Sequence, residues 1–331
     1  AAKKEGVLSI NHQPSSLLQN DVLGAFKEKY PWLKVEATSA PRGEFANRVL
    51  AEQRNGQYLW DVEILGGFGG SNVQFVNADA LQDMRPLLAR LPKEITDDSK
   101  WAGGFEMWAG PEHTHSLITQ IQLQTGVSVN RSKIPTSELS SIDQILDPKF
   151  KGKIVTYSPE RIGGATYTLA AVSMVKGEDF IKKLFFDQAV VALADQRQLA
   201  ERVATGQYPI GLGASETDYD EYKAKGIGLE VEEIREVATT YLRASGITYF
   251  KNAPHPNAAN VFMHWFLSQE GQDAWASKGG PIAVTRRLDV PVYHPKAMFD
   301  PSQLKDYKAI LGTVESQEWL DRTSQIINTK P

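Results

Sequence analysis

Five short stretches carry the residue types that hold a small polar ligand. They are residues 15–16 (Ser-Ser), 41–43 (Pro-Arg-Gly), 66–71 (Gly-Gly-Phe-Gly-Gly-Ser), 161–166 (Arg-Ile-Gly-Gly-Ala-Thr) and 215–217 (Ser-Glu-Thr). The 161–166 stretch has the fullest set for an anion. The N–H groups that open a helix are unsatisfied and carry partial positive charge. Gly163, Gly164 and Ala165 let that backbone approach a ligand, Thr166 adds a hydroxyl, and Arg161 adds a bidentate fork. The same glycines also serve to turn a chain, so residue types alone leave both readings open.

Catalytic machinery is harder to find. The run Gly66-Gly67-Phe68-Gly69-Gly70 lacks GxGxxG spacing and follows the third expected strand instead of the first. The sequence holds no GxxxxGK[ST], no GxSxG and no HExxH. His113 and His115, read as strand neighbours, have no third metal ligand close by. Asp218, Asp220 and Glu221 read as a solvated helix face, and His255 between two prolines as part of a turn. No Ser/His/Asp set follows from spacing. These absences favour a binder over an enzyme.

The elements that would position these loops alternate. Apolar runs at 7–10, 33–37, 61–65, 153–157, 190–193 and 208–213 read as strands. Between them, apolar residues recur at helical spacing: Leu18, Val22 and Phe26; Phe45 and Val49; Leu169 and Val172; Leu199 and Val203. Ser15 or Ser16 is the expected N-cap of the first helix and Pro31 its stop. Strand–helix alternation predicts βαβ units and a mostly parallel sheet. Residues 114–130 and 247–250 are further β-prone stretches that could cross between domains. From Pro254 to Pro331 the chain reads as mostly helical.

Composition bounds the class. The 331 residues suggest roughly two domains. With 36 basic and 40 acidic residues the formal net charge is -4, which argues against a nucleic-acid partner. The absence of cysteine excludes disulfides, thiolate metal sites and a cysteine nucleophile. No run of 18 apolar residues is present.

Four segments together resemble the periplasmic solute-binding proteins of ABC importers, in the branch that includes ferric-ion-binding proteins. They are AAKKEGVLSI (1–10), LDPKFKGKIV (146–155), RQLAERVATGQYPIGLG (197–213) and APHPNAANVFMHWFLSQEGQDAW (253–275). The resemblance implies an α/β venus-flytrap fold, the type II periplasmic binding protein: two mixed, mostly parallel sheets flanked by helices and joined by two crossover strands. It implies an N-terminal lobe of residues 1–113 plus 247–300, a central lobe of 114–246, and C-terminal helices at 301–331 packing across both. It also implies a periplasmic monomer with its signal peptide already removed, delivering solute to a membrane ABC permease, with no catalysis and no cofactor.

Site residues carry over one at a time. His12 stands near the histidine that the family's iron binders place after the first strand. Their adjacent tyrosine pair is replaced here by Glu216-Thr217, which argues against iron, and no metal is expected. The family's anion loop matches Gly163, Gly164, Ala165 and Thr166, with Arg161 beside it. The expected ligand is small and anionic or zwitterionic. Ser15, Ser16, Gly67 and Phe68 would meet it from the other lobe, and Tyr241 and Arg243 would complete the wall. The alternatives are a ferric receptor using His12, Tyr219 and Tyr222, or an enzyme or sensor built on the same fold.

Overall fold

The computed structural model describes the chain apart from residues 13–14, 41, 65–68, 111, 124–125, 160–165, 215, 238–240, 281–282, 296, 307–308, 312–313 and 330–331. For residues 42, 69–71, 166, 216–217, 241, 243, 303, 305–306, 309–311, 314–317 and 320 it describes the backbone alone. The strands among the described residues are β1 (Val7–His12), β2 (Lys34–Ser39), β3 (Val62–Ile64), β4 (Ser116–Leu123), β5 (Val127–Asn130), β6 (Ile154–Tyr157), β7 (Val191–Leu193), β8 (Ile210–Leu212), β9 (Val231–Ile234), β10 (Tyr241–Tyr249) and β11 (Ala309–Leu311).

They form two mixed sheets. One has the order β11-β10-β3-β1-β2, with β4 also paired to β10; the other has the order β7-β6-β8-β5-β9. The chain divides into two compact units. The first is Ala1–Gln122, Arg243–Asp306 and Gly312–Val314; the second is Leu123–Leu242, Tyr307–Leu311 and Glu315–Pro331. The chain leaves the first unit within β4 and returns within β10.

In the first unit β1 runs parallel to both β2 and β3, and β10 is antiparallel to β3. Side chains alternate across a strand, so Leu8, Ile10, Val62, Ile64 and Ile247 join one core with Phe26, Phe262 and Trp265. The other face packs on the helix Arg42–Arg54 through Phe45, Val49, Trp60 and Phe250. The helix Pro256–Leu267 begins under two carboxylates. Asp61 accepts from the His255 N–H at 2.8 Å. Glu5 accepts from the N–H groups of Asn257 and Ala258 at 3.2 and 2.7 Å. Burial alone would raise the Glu5 carboxyl, but a bond from the Asn257 side-chain amide and then those two backbone bonds hold it below its ordinary value.

In the second unit β6 is parallel to β7 and β8, whereas β5 is antiparallel to β8 and β9. Val127, Val129, Ile154, Ile210 and Leu212 share a core with Leu169 and Val172 of the helix Thr166–Lys176. Ile326, on the C-terminal helix Val314–Asn328, belongs to the same core. Gly211 is a close approach: a Cβ there would stand 2.6 Å from Val203 Cγ2 of the helix Gln196–Ala204.

The β-prone residues 114–130 hold two strands, β4 and β5, in different sheets, and the chain leaves the first unit within β4. Two sequence expectations are corrected. The helical reading beyond Pro254 holds for Pro256–Leu267, Gln269–Lys278 and Val314–Asn328, but between Lys278 and Val314 the described residues hold no α-helix. Pro281, Pro291, Pro295 and Pro301 interrupt that stretch, and its arginines are used for packing. His113 and His115 lie in turns before β4, with His113 at a left-handed φ of 52°, so they are not strand neighbours.

Candidate functional site

In open α/β sheets ligands bind beyond the carboxyl ends of parallel strands. In the second unit those ends are Tyr157, Leu193 and Leu212. Strands β6 and β8 are parallel neighbours, so residues 158 and 213 follow them at the same edge; in sequence these open the stretches 158–165 and 213–215. The helix Thr166–Lys176 starts directly after the first of these stretches, and its first turn holds no acidic residue. Its last-turn Lys176 is ion-paired with Asp143 at 2.8 Å and Glu236 at 3.0 Å. The dipole is thus balanced at the carboxyl end. Gly213, at φ 114°, turns the chain out of β8 in a conformation that favours glycine. The turn Glu216–Tyr219 follows.

In the first unit β1 and β3 are neighbours, and their carboxyl ends are His12 and Ile64, paired in register. In sequence, residues 13–16 follow the first and residues 65–68 the second. His12 is fully buried, and its Nε2 lies 2.5 Å from Gln19 Oε1. Ser15 caps the following helical segment, its Oγ accepting from Leu18 N at 3.3 Å. Ser16 is exposed at the start of that segment. The turn that carries Gln19 is a π-helix, Leu18–Val22, a geometry found most often as a single turn at functional sites.

Of the other expected site residues, Gly67, Phe68, Arg161, Gly163, Gly164 and Ala165 lie outside the described residues. Thr166 is the first residue of its helix, Glu216 and Thr217 open the turn after β8, and Tyr241 and Arg243 are on β10; only their backbones are described. At the level of the described strands, then, Tyr157 and Leu212 end neighbouring parallel strands in one unit, and His12 and Ile64 do so in the other.

Sequence reasoning missed a buried polar row in the first unit. Strand register aligns Thr248, Glu63, Asn11 and Thr38 across β10, β3, β1 and β2. Asn11 Nδ2 donates to Glu63 Oε1 at 3.0 Å. Ser116 Oγ donates to Asn72 Oδ1 at 2.7 Å and lies 3.0 Å from Thr248 Oγ1. Among the described residues, Asn11 Oδ1 and Asn72 Nδ2 are buried with no hydrogen-bond partner, a costly state. The available signal was Asn11 and Glu63 in the middle of two apolar strands.

Of the tyrosines named for a ferric site, Tyr219 is buried and Tyr222 is engaged. Tyr219 is buried, and its hydroxyl stands 3.7 Å from where a Cβ on Gly211 would be. Burial raises that phenol far above its ordinary value. Tyr222 donates to the Arg197 carbonyl at 3.2 Å, and burial also raises it.

A sequence profile of the family described as bacterial extracellular solute-binding protein matches residues 22–290. The chain belongs to the bacterial extracellular solute-binding proteins. A relative of this solute-binding protein in Haemophilus influenzae, described as an uncharacterized protein, is 25% identical over 312 residues, covering 92% of this chain and 85% of the relative. Among solved structures, it is similar to the periplasmic binding protein AfuA from Actinobacillus pleuropneumoniae with exogenous fructose-6-phosphate bound. That likeness has a TM-score of 0.67 and 22% identity, with 98% of this chain and 99% of the other covered. It is also similar to the ferric binding protein from Campylobacter jejuni, with a TM-score of 0.67 and 17% identity over 97% and 98% of the two chains. At these identities the likeness is one of fold: the two-lobed type II periplasmic binding protein. No helix among the described residues is long and apolar enough to cross a membrane.

Proposed function

We propose that this solute-binding protein is a non-catalytic periplasmic receptor of an ABC importer, acting as a monomer that captures a small anionic or zwitterionic solute for a membrane permease. The observation that carries the reading is the opening of the helix Thr166–Lys176. It follows the carboxyl end of a parallel strand, its first turn is free of acid, and a glycine-rich stretch with Arg161 precedes it. Arg161 and the N–H groups of Gly164, Ala165 and Thr166 hold the negative end of the solute. Ser15, Ser16, Gly67, Phe68, Tyr241 and Arg243 complete the contacts, and His12 braces the loop that carries the two serines. Glu216 and Thr217 receive an amine where the solute has one. AfuA, with its bound sugar phosphate, is a fold relative whose guest carries the same kind of anionic end.

The test is a thermal-shift screen over phosphorylated sugars, carboxylates, phosphonates, amino acids and ferric salts. A ligand at about 100 times its Kd stabilises by roughly 2.7 kcal/mol. Arg161→Ala is expected to remove the shift given by an anionic hit. A hit that binds Arg161→Ala as tightly as wild type, or a visible phenolate–iron absorption band on adding ferric ion, refutes the assignment.

A further inference from the structure

The first unit contains a cavity of ≈ 440 Å3 that the solute site does not use. It opens beside the entry to β3 and the exit from β10. Its walls come from β1, β2, the helix Arg42–Arg54, the segment before β3 and the turn after β10. A volume of this order suits a small molecule.

Three charged or ionisable heads line it: Glu36, Arg48 and His255. Each is held by one partner and keeps further hydrogen-bonding capacity. Glu36 Oε1 receives Lys34 Nζ at 2.6 Å, and Oε2 takes no bond among the described residues. Arg48 donates from Nε to Glu52 Oε1 at 2.8 Å and lies 4.9 Å over the Trp60 ring, which leaves both terminal nitrogens of its fork. His255 Nδ1 stands 3.0 Å from Asp61 Oδ2. A carboxylate oxygen only accepts, so Nδ1 carries the hydrogen and Nε2 is the free nitrogen. Asp61 is fully buried and also receives the N–H groups of Ser9 and His255, so the imidazole is mounted on a rigid base. Trp60 Nε1 is already satisfied by Glu52 at 2.7 Å. Its indole, with Tyr58 and the half-exposed Leu59, supplies the apolar part of the wall.

We propose that this cavity is a second binding site, for a small amine–carboxylate zwitterion of the free amino-acid kind. The ammonium sits at Glu36, the carboxylate at the Arg48 fork, and the side chain against Tyr58, Leu59 and Trp60. His255 Nε2 completes the polar contacts. Glu36 and Arg48 are already ion-paired, to Lys34 and Glu52, and both are half exposed, so the guest adds hydrogen bonds at Glu36 Oε2 and at the Arg48 fork without replacing either pair. A zwitterion matches both, and the bidentate fit of Arg to carboxylate orients it.

The experiment titrates wild type with each free proteinogenic amino acid, following the Trp60 Nε1–H and Ser9 N–H resonances by NMR and affinity by calorimetry. The same titrations are made on Glu36→Gln, Arg48→Met and, as control, Arg161→Ala. Glu36 is half exposed on the surface, so Glu36→Gln leaves the fold intact. The expected result is saturable movement of both resonances. Affinity should fall at least about tenfold in Glu36→Gln and in Arg48→Met and stay unchanged in Arg161→Ala. Loss of binding in Arg161→Ala alone assigns the event to the solute site and overturns the proposal while leaving the proposed function intact. No movement at Trp60 with any amino acid also overturns it, as does binding indifferent to both Glu36→Gln and Arg48→Met.

Discussion

Arg286 gives the sharpest test of what holds the first unit together. Its side chain is buried, and its guanidinium donates to four backbone carbonyls. Nε and Nη2 reach Ile118 at 3.0 and 2.7 Å, Nη2 reaches Phe105 at 3.0 Å, and Nη1 reaches Gly104 at 2.7 Å and also Ala102. Burial presses its pKa down to about 9, still above neutrality, so the group is charged at neutral pH. No carboxylate partners it in this set; carbonyl dipoles from β4 and from the 102–105 turns solvate the charge. Arg286→Met keeps most of the apolar volume and removes every donor. Phe105 keeps a second donor, Met107 N at 3.1 Å, whereas the Ala102 and Gly104 carbonyls lose their guanidinium. Stranding a buried acceptor costs about 1–3 kcal/mol, and the relief of an expensive buried charge offsets part of that. With two to three carbonyls stranded at that cost, less the offset, the expected net loss is about 3–5 kcal/mol. At about 2–4 °C per kcal/mol for a unit of this size, Tm should fall by roughly 6–20 °C. Urea unfolding followed by tryptophan fluorescence measures it. Arg286→Lys, with one compact ammonium unable to span four carbonyls, should fall between the two. A loss under about 1 kcal/mol for Arg286→Met would falsify the view that this guanidinium organises the turns around β4.

Other outcomes follow from single contacts. Glu5→Gln weakens the cap on the helix Pro256–Leu267 and should cost about 1 kcal/mol. Because the folded Glu5 pKa lies below its unfolded value, this contribution is present above the unfolded pKa and lost as pH falls through the folded one. The acid limb of the wild-type stability curve should therefore be steeper than that of Glu5→Gln, as pH-dependent urea midpoints will show. Asp61→Ala strands the Ser9 N–H and frees the His255 ring; a loss of about 1–3 kcal/mol is expected by denaturant titration. A Cβ on Gly246 would stand 1.9 Å from the Leu117 carbonyl oxygen, between β10 and β4. Gly246→Ala should lower stability by at least about 1–3 kcal/mol, since backbone must move; an unchanged thermal midpoint would refute the packing.

Much of the chain was legible because local physics dictates it. The parallel strands β1, β2, β3, β6, β7 and β8 announce themselves by apolar runs, and the helices after β1, β2, β6 and β7 by 3.6-residue spacing. Ser15 acts as the helix cap its type suggested. The edge strand β9 was not legible: its sequence is Val-Glu-Glu-Ile, and only its terminal residues face inward. Nor was the stretch after Lys278, where two buried arginines do work that composition would assign to surface residues.

The sequence by itself determined a two-unit α/β protein and, through family pattern, its place among extracellular solute-binding proteins. Turn residues, caps and periodicity act over a few neighbours, so they can be read in one dimension. Tertiary structure decided which loops share an edge, because strand order follows pairing between residues as distant as Ile64 and Ile247. It alone aligned Asn11 with Glu63, set Asp61 under His255, and turned Arg286 inward. Those contacts depend on burial and long-range register, and neither is encoded in the type or spacing of nearby residues.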